Sequence, residues 1–116
     1  MIKIITAFVL GTLLFAGCND LSTEAQANMT WKQFKKSPTA KCIRKRESRN
    51  KPWVVSSNGM WHGLYQFSVS TWQNMGGTKY AWAASQATRK QQHKIAFKTW
   101  KRVGWSPWYH ATNPCY

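Results

Sequence analysis

The stretch that decides the fold is CIRKRESRNK, residues 42–51, which holds five basic side chains and one acid, Glu47. From residue 26 to residue 116 the sequence has no other Asp or Glu, although the whole chain carries 17 Lys and Arg against 3 acids. Any acid–base chemistry performed by a carboxylate side chain in this part of the protein therefore belongs to Glu47.

The segment around Glu47 predicts a helix. SPTAKCIRKRES, residues 37–48, begins with Ser37 as a good N-cap and continues with a proline in the first turn, and Pro52 stops it. Glu47 then lies in the last turn, where the helix dipole favours the protonated carboxyl, whereas nearby cations favour the charged form. The structural alternative is an ion pair between Glu47 and one neighbouring basic residue: Arg44, Arg49 or Lys51.

Short helices are predicted on both sides of this one. Thr30 and Gln33 form a capping box at the start of the domain, and SVSTWQNMGG, residues 68–77, predicts a short helix ended by two glycines. The clearest helix is residues 88–104, which opens with a second capping box and ends at a glycine. One face of it is expected to be apolar or buried: Gln92, Ile95, Ala96, Thr99, Trp100 and Val103.

The middle of the chain, residues 51–67, predicts little regular structure. Val54 and Val55 favour a short extended piece, and SSNG is a turn signal. The expected fold is therefore mainly α, a small single domain with a loop-rich or short-hairpin middle.

The first eighteen residues, MIKIITAFVLGTLLFAGC, are predicted to be an export signal. The apolar run at residues 4–16 is shorter than the ~20 residues of a spanning helix. FAGC resembles the lipobox of bacterial lipoproteins, which makes residues 1–17 the signal peptide and Cys18 the lipidated first residue. Cleavage nearby with an unmodified Cys18 is the alternative. Residues 18–28 predict a flexible tether, and residues 29–116 the folded domain.

Export has consequences for the cysteines and for the partners of the chain. Cys42 and Cys115 are predicted to pair, because exported small domains form disulfides, and the bond would join the two ends of the domain; two free thiols are the alternative. The formal net charge of +14 favours anionic partners, namely wall polymers, peptidoglycan or a membrane surface, and export argues against nucleic acid. We expect a monomer.

The positions of the aromatic and histidine residues along the chain predict different roles for them. Aromatic residues at helical spacing predict core packing, and those in the loop-rich middle predict contacts to a sugar ligand. No histidine has the spacing of a metal site, and no cofactor is implied. The core set is Trp31, Phe34, Trp72 and Trp100, and the ligand set is Trp53, Trp61 and Tyr65.

Four motifs in order resemble a known family. CIRKRES, then GLYQFSVSTW, then a capped helix, and then GWSPW before the last cysteine resemble the lysozyme-like domain of resuscitation-promoting factors and of the wider lytic transglycosylase group. The resemblance runs from about Trp31 to Cys115. It implies a lysozyme-like α+β fold and an activity that cleaves the glycan strands of peptidoglycan. It assigns the catalytic acid to Glu47 and places Gln66, Thr71 and Tyr80 along the cleft.

The sequence departs from this family after the Glu-Ser pair. Relatives commonly have glycine there, and this chain has Arg49. Either the cleft gains a cation or the local turn differs.

The resemblance suggests how a single carboxylate could suffice. Ordinary glycoside hydrolases use two carboxylates, whereas a lytic transglycosylase is similar to a one-carboxylate solution. Glu47 would protonate the bond between N-acetylmuramic acid and N-acetylglucosamine, then take a proton from the 6-hydroxyl as a 1,6-anhydro ring closes. Hydrolysis remains open. Two non-enzymatic alternatives also remain: a silent cationic module that binds the wall or inhibits a wall enzyme, and a cationic membrane-active protein.

Overall fold

The computed structural model describes residues 28–116 and is mainly helical. The predicted signal peptide, the lipidation of Cys18 and residues 18–27 of the predicted tether lie outside the described residues. Within residues 28–116 no helix has the length and apolar character needed to cross a bilayer. The α-helices are α1 (Trp31–Lys36), α2 (Pro38–Ser48), α3 (Val69–Asn74) and α4 (Arg89–Val103), and short 3-10 turns cover Gly77–Lys79, Ala84–Gln86 and Ser106–Trp108.

The helices begin where local capping chemistry predicts. The capping boxes at the starts of α1 and α4 are both formed, with the Thr30 and Thr88 side chains each accepting a bond from the third helical residue. The Ser37 side chain accepts from the backbone of Ala40 at the start of α2. These side chains satisfy amide groups that a helix start leaves without partners, so each helix start is fixed by its own sequence.

The segment between α2 and α3 confirms the predicted loop-rich middle. Within the described residues, its only β-bridges are two isolated antiparallel ones, from His62 to Val55 and from His62 to Phe67. The SSNG turn is formed, because the Gly59 amide donates to the Ser56 carbonyl at 2.8 Å. Folded back on itself in this way, the segment forms a wall beside the end of α2.

The core is aromatic and lies where α1 packs against α2 and α4. The Phe34 ring lies 5.4 Å from the Trp100 ring and 5.5 Å from the Trp105 ring, between ring centroids. The largest fully buried side chains are Trp72, Tyr65, Phe34, Ile43, Leu64 and Gln92.

Two of the predicted core positions were wrong. Trp31 is half-buried and lies outside the core cluster, because it is the first residue of α1 and lysine side chains surround its ring. Val103 is 50% exposed, because it is the last residue of α4 and the chain turns away at Gly104. Phe34, Trp72 and Trp100 are buried as predicted.

A disulfide between Cys42 and Cys115 closes the domain, as predicted. The two Cα atoms are 5.6 Å apart, across a sequence separation of 73 residues. The bond holds the C-terminal segment, residues 105–116, against α2. This segment forms the wall that faces the loop-rich middle.

Candidate active site

Glu47 lies on the wall of an open cleft. It sits in the last turn of α2, as predicted, and its side chain is 15% exposed. The cavity beside it has a volume of about 390 Å³ and continues into a smaller depression of about 80 Å³, with which it shares four lining residues. The cleft is lined by Glu47, Trp61, Tyr65, Gln66, Phe67, Ser68, Thr71, Pro107, Trp108 and His110.

Two basic side chains hold one oxygen of the Glu47 carboxyl. Arg46 donates to Oε2 through Nη2 at 2.7 Å and through Nε at 3.1 Å. His110 Nε2 lies 3.3 Å from the same oxygen. The ion-pair partners considered from the sequence were therefore wrong: Glu47 pairs with Arg46, beside the His110 ring, and not with Arg44, Arg49 or Lys51.

The second oxygen, Oε1, is left open to the cleft. Within residues 28–116 it accepts no hydrogen bond, and no buried side-chain oxygen or nitrogen there lacks a partner. Oε1 is therefore accessible to solvent. Because Arg46 donates to Oε2, Oε1 is the carboxyl oxygen that remains available to a ligand.

Arg46 also fastens the opposite wall of the cleft. Its Nη1 donates to the Asn113 carbonyl at 2.9 Å, and its Nη2 donates to the Trp108 carbonyl. The Arg46 side chain is only 7% exposed. One guanidinium therefore fixes both the carboxyl and the C-terminal segment that faces it.

Ser48, the second residue of the Glu-Ser pair, has a structural role. The Ser48 hydroxyl is buried and lies 2.9 Å from the Leu64 carbonyl and 3.1 Å from the Arg44 carbonyl. It thereby ties the end of α2, which carries Glu47, to the loop that carries Gln66.

The loop of the Gly-x-x-Gln-Phe motif is tightly constrained. Gly63 has a φ of +80°, and a Cβ there would lie 2.2 Å from Gln92 Oε1. That oxygen accepts from the Leu64 amide at 2.7 Å. Gln66 itself has a φ of 54°, a strained value for a residue with a side chain, and its Nε2 donates to the Gly63 carbonyl at 3.0 Å. The Gln66 side chain is thus held at the cleft wall.

A buried polar network lies behind the cleft. Arg44 Nη1 donates to the Tyr65 hydroxyl at 2.9 Å, and that hydroxyl lies 2.9 Å from His93 Nδ1. Burial raises the pKa of Tyr65 to about 12, against the opposing effect of Arg44. Burial, aided by nearby cations of which Arg44 is the strongest, lowers the pKa of His93 to about 3. The neutral imidazole therefore accepts a hydrogen bond from the Tyr65 hydroxyl, which keeps its proton.

The structure brings most of the predicted ligand residues together. Trp61, 42% exposed, and the inner residues Tyr65 and Gln66 line the main cavity with Glu47, and Thr71 lies at the far end of the cleft. Trp53 is 66% exposed and does not line this cleft. Tyr80, which was expected along the cleft, packs against the core instead, and Arg49 also lies outside the cleft lining.

The C-terminal wall was not assigned to the site from the sequence. Pro107, Trp108 and His110 line the cleft, although GWSPW was recognised as a motif. The signal was available, because a bond from Cys115 to Cys42 brings the preceding residues beside the helix that carries Glu47. Among residues 28–116 no group of three or more His, Cys, Asp or Glu side chains converges in a way that could hold a metal ion.

Comparisons with known proteins found a matching family and similar relatives. The family described as transglycosylase-like domain matches residues 27–111. Over 56 residues the chain is 43% identical to resuscitation-promoting factor Rpf1 of Corynebacterium glutamicum and 39% identical to resuscitation-promoting factor RpfB of Mycolicibacterium smegmatis. Each match covers 48% of this chain, but only 29% of the first relative and 16% of the second.

Proposed function

The chain belongs to the family of transglycosylase-like domains, and on that premise we propose that it is a peptidoglycan-cleaving lytic transglycosylase with Glu47 as its catalytic acid and base. One observation carries the proposal. Glu47 is the sole carboxylate side chain of residues 28–116, and it lies on the wall of a cleft of about 390 Å³ with one oxygen accessible.

The proposed substrate is the glycan strand. Trp61, which is 42% exposed, supplies indole surface to the cleft beside the half-buried amide of Gln66, and the buried Trp108 packs beneath the facing wall. Such a lining of aromatic side chains with a few polar groups suits sugar rings, which present both C–H faces and hydroxyl groups. The two connected depressions give the strand room on one side of Glu47.

The first proposed step is proton transfer to the leaving group. Oε1 of protonated Glu47 donates its proton to the glycosidic oxygen between N-acetylmuramic acid and N-acetylglucosamine, and the bond from that oxygen to C1 breaks. The substrate's acetamido group stabilises the positive C1. Arg46 and His110 then stabilise the carboxylate that remains on Glu47.

The second proposed step returns the proton. Oε1 of the Glu47 carboxylate takes the proton of the 6-hydroxyl on the same muramic acid ring, and the freed oxygen bonds to C1. The product is a 1,6-anhydro sugar, and Glu47 is protonated again. The cycle uses one carboxylate in both roles, which is the number that this domain has.

The proposed location is the cell envelope. The Cys42–Cys115 disulfide supports an oxidising compartment, in agreement with the predicted signal peptide. The protein is then anchored through Cys18 or secreted.

One observation favours a second candidate function, a non-catalytic module that binds the wall. The Glu47 carboxyl already accepts two hydrogen bonds from Arg46, as it would in a purely structural ion pair. A wall-binding module would need the basic surface and the aromatic cleft, but no proton on Glu47.

Substitution of Glu47 by Gln separates the two functions. The purified oxidised protein is incubated with purified peptidoglycan, and the soluble products are identified by mass spectrometry. We expect the parent to release anhydro-muropeptides and Glu47→Gln to lower their release by a factor of about 100 or more, since the amide has no proton to transfer. Co-sedimentation with peptidoglycan is expected to be unchanged.

The outcomes discriminate clearly. Products with a free reducing end would replace ring closure by hydrolysis and keep Glu47 as the acid. A folded parent that binds peptidoglycan and releases nothing would leave the binding module. His62→Gln is the matched control, because His62 lies outside the cleft lining, and it is expected to keep the parent's product yield.

A further inference from the structure

Four lysines surround one tryptophan on a surface that takes no part in the cleft. The ammonium nitrogens of Lys32 and Lys35 on α1 lie 5.9 and 5.2 Å from the centre of the Trp31 ring. Those of Lys90 and Lys94 on α4 lie 5.9 and 5.6 Å from it. We call these five residues the lysine–tryptophan face.

No carboxylate side chain of the described domain can neutralise this face. The single one in residues 28–116, Glu47, is held by Arg46 and His110. The indole ring attracts cations, but the four ammonium groups around it repel one another. An external anionic partner would relieve that repulsion, so the face is suited to binding one.

The positive surface extends along α4. Lys90, Lys94, Lys98 and Lys101 are spaced by three or four residues, so they lie on one side of the helix. The Lys101 nitrogen is 5.3 Å from the centre of the Phe97 ring, which repeats the pairing of lysine with an aromatic ring. A helix of this length is about 22 Å long. An extended anionic surface matches it better than a single small anion does.

We propose that the lysine–tryptophan face docks the domain on a bilayer of anionic phospholipid. Lysine ammonium groups are attracted to anionic head groups, and an indole ring such as that of Trp31 is favoured at the boundary between head groups and acyl chains. The face thus combines the two side-chain types that a bilayer surface selects.

The position of the face in the chain supports this partner. Trp31 follows the apolar run of residues 4–16 by 15 residues, and the predicted lipidated Cys18 by 13. An extended chain of 13 residues reaches at most about 45 Å, and a flexible one averages about 20 Å. A lipid anchor at Cys18 would therefore hold the face near the membrane. Stable attachment takes two such signals, one of them being a basic patch.

The docking does not depend on Glu47, because none of the five residues lines the cleft. The Glu47→Gln protein is therefore expected to bind vesicles as the parent does. Failure of one proposal leaves the other intact.

The test measures binding of the full chain to phosphatidylcholine vesicles with and without phosphatidylglycerol. The difference between the two vesicle types removes the contribution of the apolar N-terminal run. Four Lys→Gln changes on the face are expected to lower the phosphatidylglycerol-dependent part of the partition coefficient by roughly tenfold or more. The face variant changes Lys32, Lys35, Lys90 and Lys94, and the matched control variant changes four exposed lysines elsewhere: Lys41, Lys45, Lys51 and Lys79.

The control variant has the same net charge and is expected to lose much less binding. Trp31→Ala is expected to weaken vesicle binding, whereas Trp53→Ala, at an exposed tryptophan outside the face, is expected to leave it unchanged. If the fourfold face variant does not fold, Lys90→Gln with Lys94→Gln is compared with Lys41→Gln with Lys45→Gln.

Two results would overturn the proposal. Equal losses in the face and control variants would show that net charge alone attracts the protein. A face variant that keeps its vesicle binding, but no longer binds soluble poly(glycerol phosphate), would assign the face to a wall polymer.

Discussion

Arg49 follows the Glu-Ser pair, and its backbone shows what this position requires. Arg49 and Asn50 follow α2 with φ values of 55° and 60°, both in the left-handed region. Asn50 suits that region, and its Oδ1 accepts from Arg44 Nε at 3.3 Å and from Arg89 Nη1 at 2.9 Å. Arg49 is exposed and does not line the cleft, so the sequence forms a left-handed turn here without a glycine.

Replacing Arg49 by glycine is expected to stabilise the domain. A side chain in the left-handed region is strained by roughly 1–2 kcal/mol, and the greater freedom of glycine in the unfolded chain offsets part of the gain. We expect the free energy of unfolding to rise by about 0.5–1 kcal/mol, measured by urea denaturation. Arg49→Ala removes the same charge but keeps the Cβ, and equal effects of the two changes would contradict the strain.

The pairing of Glu47 with Arg46 depends on residues that are distant in the sequence. Neighbours at i and i+1 point in different directions on a regular helix, so helix geometry does not predict a pair between Arg46 and Glu47. Near the end of α2, the Arg46 guanidinium donates to the carbonyls of residues 108 and 113, and from that position it also reaches the Glu47 carboxyl. Those long-range acceptors, which no local pattern encodes, decide the pairing. The position of Glu47 in the last turn of α2 was predictable, because it depends on the caps of that helix alone.

At the scale of elements, the network of Arg44, Tyr65 and His93 joins α2, the middle loop and α4. His93 is 4% exposed, and no part of its side chain was predicted to be buried. The loop is also held by the buried Gln92 amide, whose Nε2 donates to the carbonyls of Pro52 and Ala87, both at 3.0 Å. Helix starts were predictable because each capping side chain bonds to a residue three positions away. The middle loop was not, because the side chains that bond to it come from α4, far away in the sequence.

The His93 pKa predicts that the domain loses stability in acid. The folded-state pKa of about 3 lies below the ordinary value of 6.5, so the unfolded chain binds a proton that the folded protein excludes between these pH values. The contribution of neutral His93 to the free energy of unfolding is fully present above pH 6.5 and is lost as the pH falls towards 3. We expect the free energy of unfolding to fall by about 1.4 kcal/mol per pH unit in this window, measured by urea denaturation.

A histidine substitution checks the source of this dependence. His93→Gln keeps an acceptor for the Tyr65 hydroxyl and does not titrate, so its unfolding free energy is expected to vary much less with pH. His62→Gln, at a half-buried histidine outside the network, is expected to keep the steep dependence. The same slope in all three proteins would assign the acid response to another group.

At the scale of the whole molecule, the disulfide and Arg46 together fix the C-terminal segment as a wall of the cleft. The bond joins Cys115 to Cys42, which precedes Glu47 on the same helix by five residues. His110 and Trp108 therefore depend on a covalent link to keep their places opposite the middle loop.

Reduction of the disulfide is expected to weaken both fold and cleft. The loop that it closes spans 73 residues, for which chain entropy gives about 4 kcal/mol of stabilisation. We expect the free energy of unfolding, from urea denaturation with and without dithiothreitol, to fall by up to that amount. The variant with Cys42→Ser and Cys115→Ser serves as the control, and a reductant effect on it would point to a cause other than the bond.

The solitary carboxylate also gives the domain an unusual reactivity towards labelling reagents. A carbodiimide couples amines to accessible carboxyl groups, and Glu47 is the one carboxylate side chain in residues 28–116. Because Oε1 is the open oxygen, a fluorescent or spin-labelled amine would attach inside the cleft itself. The scarcity of acids therefore makes one side chain a site-selective handle, without the need to introduce a cysteine.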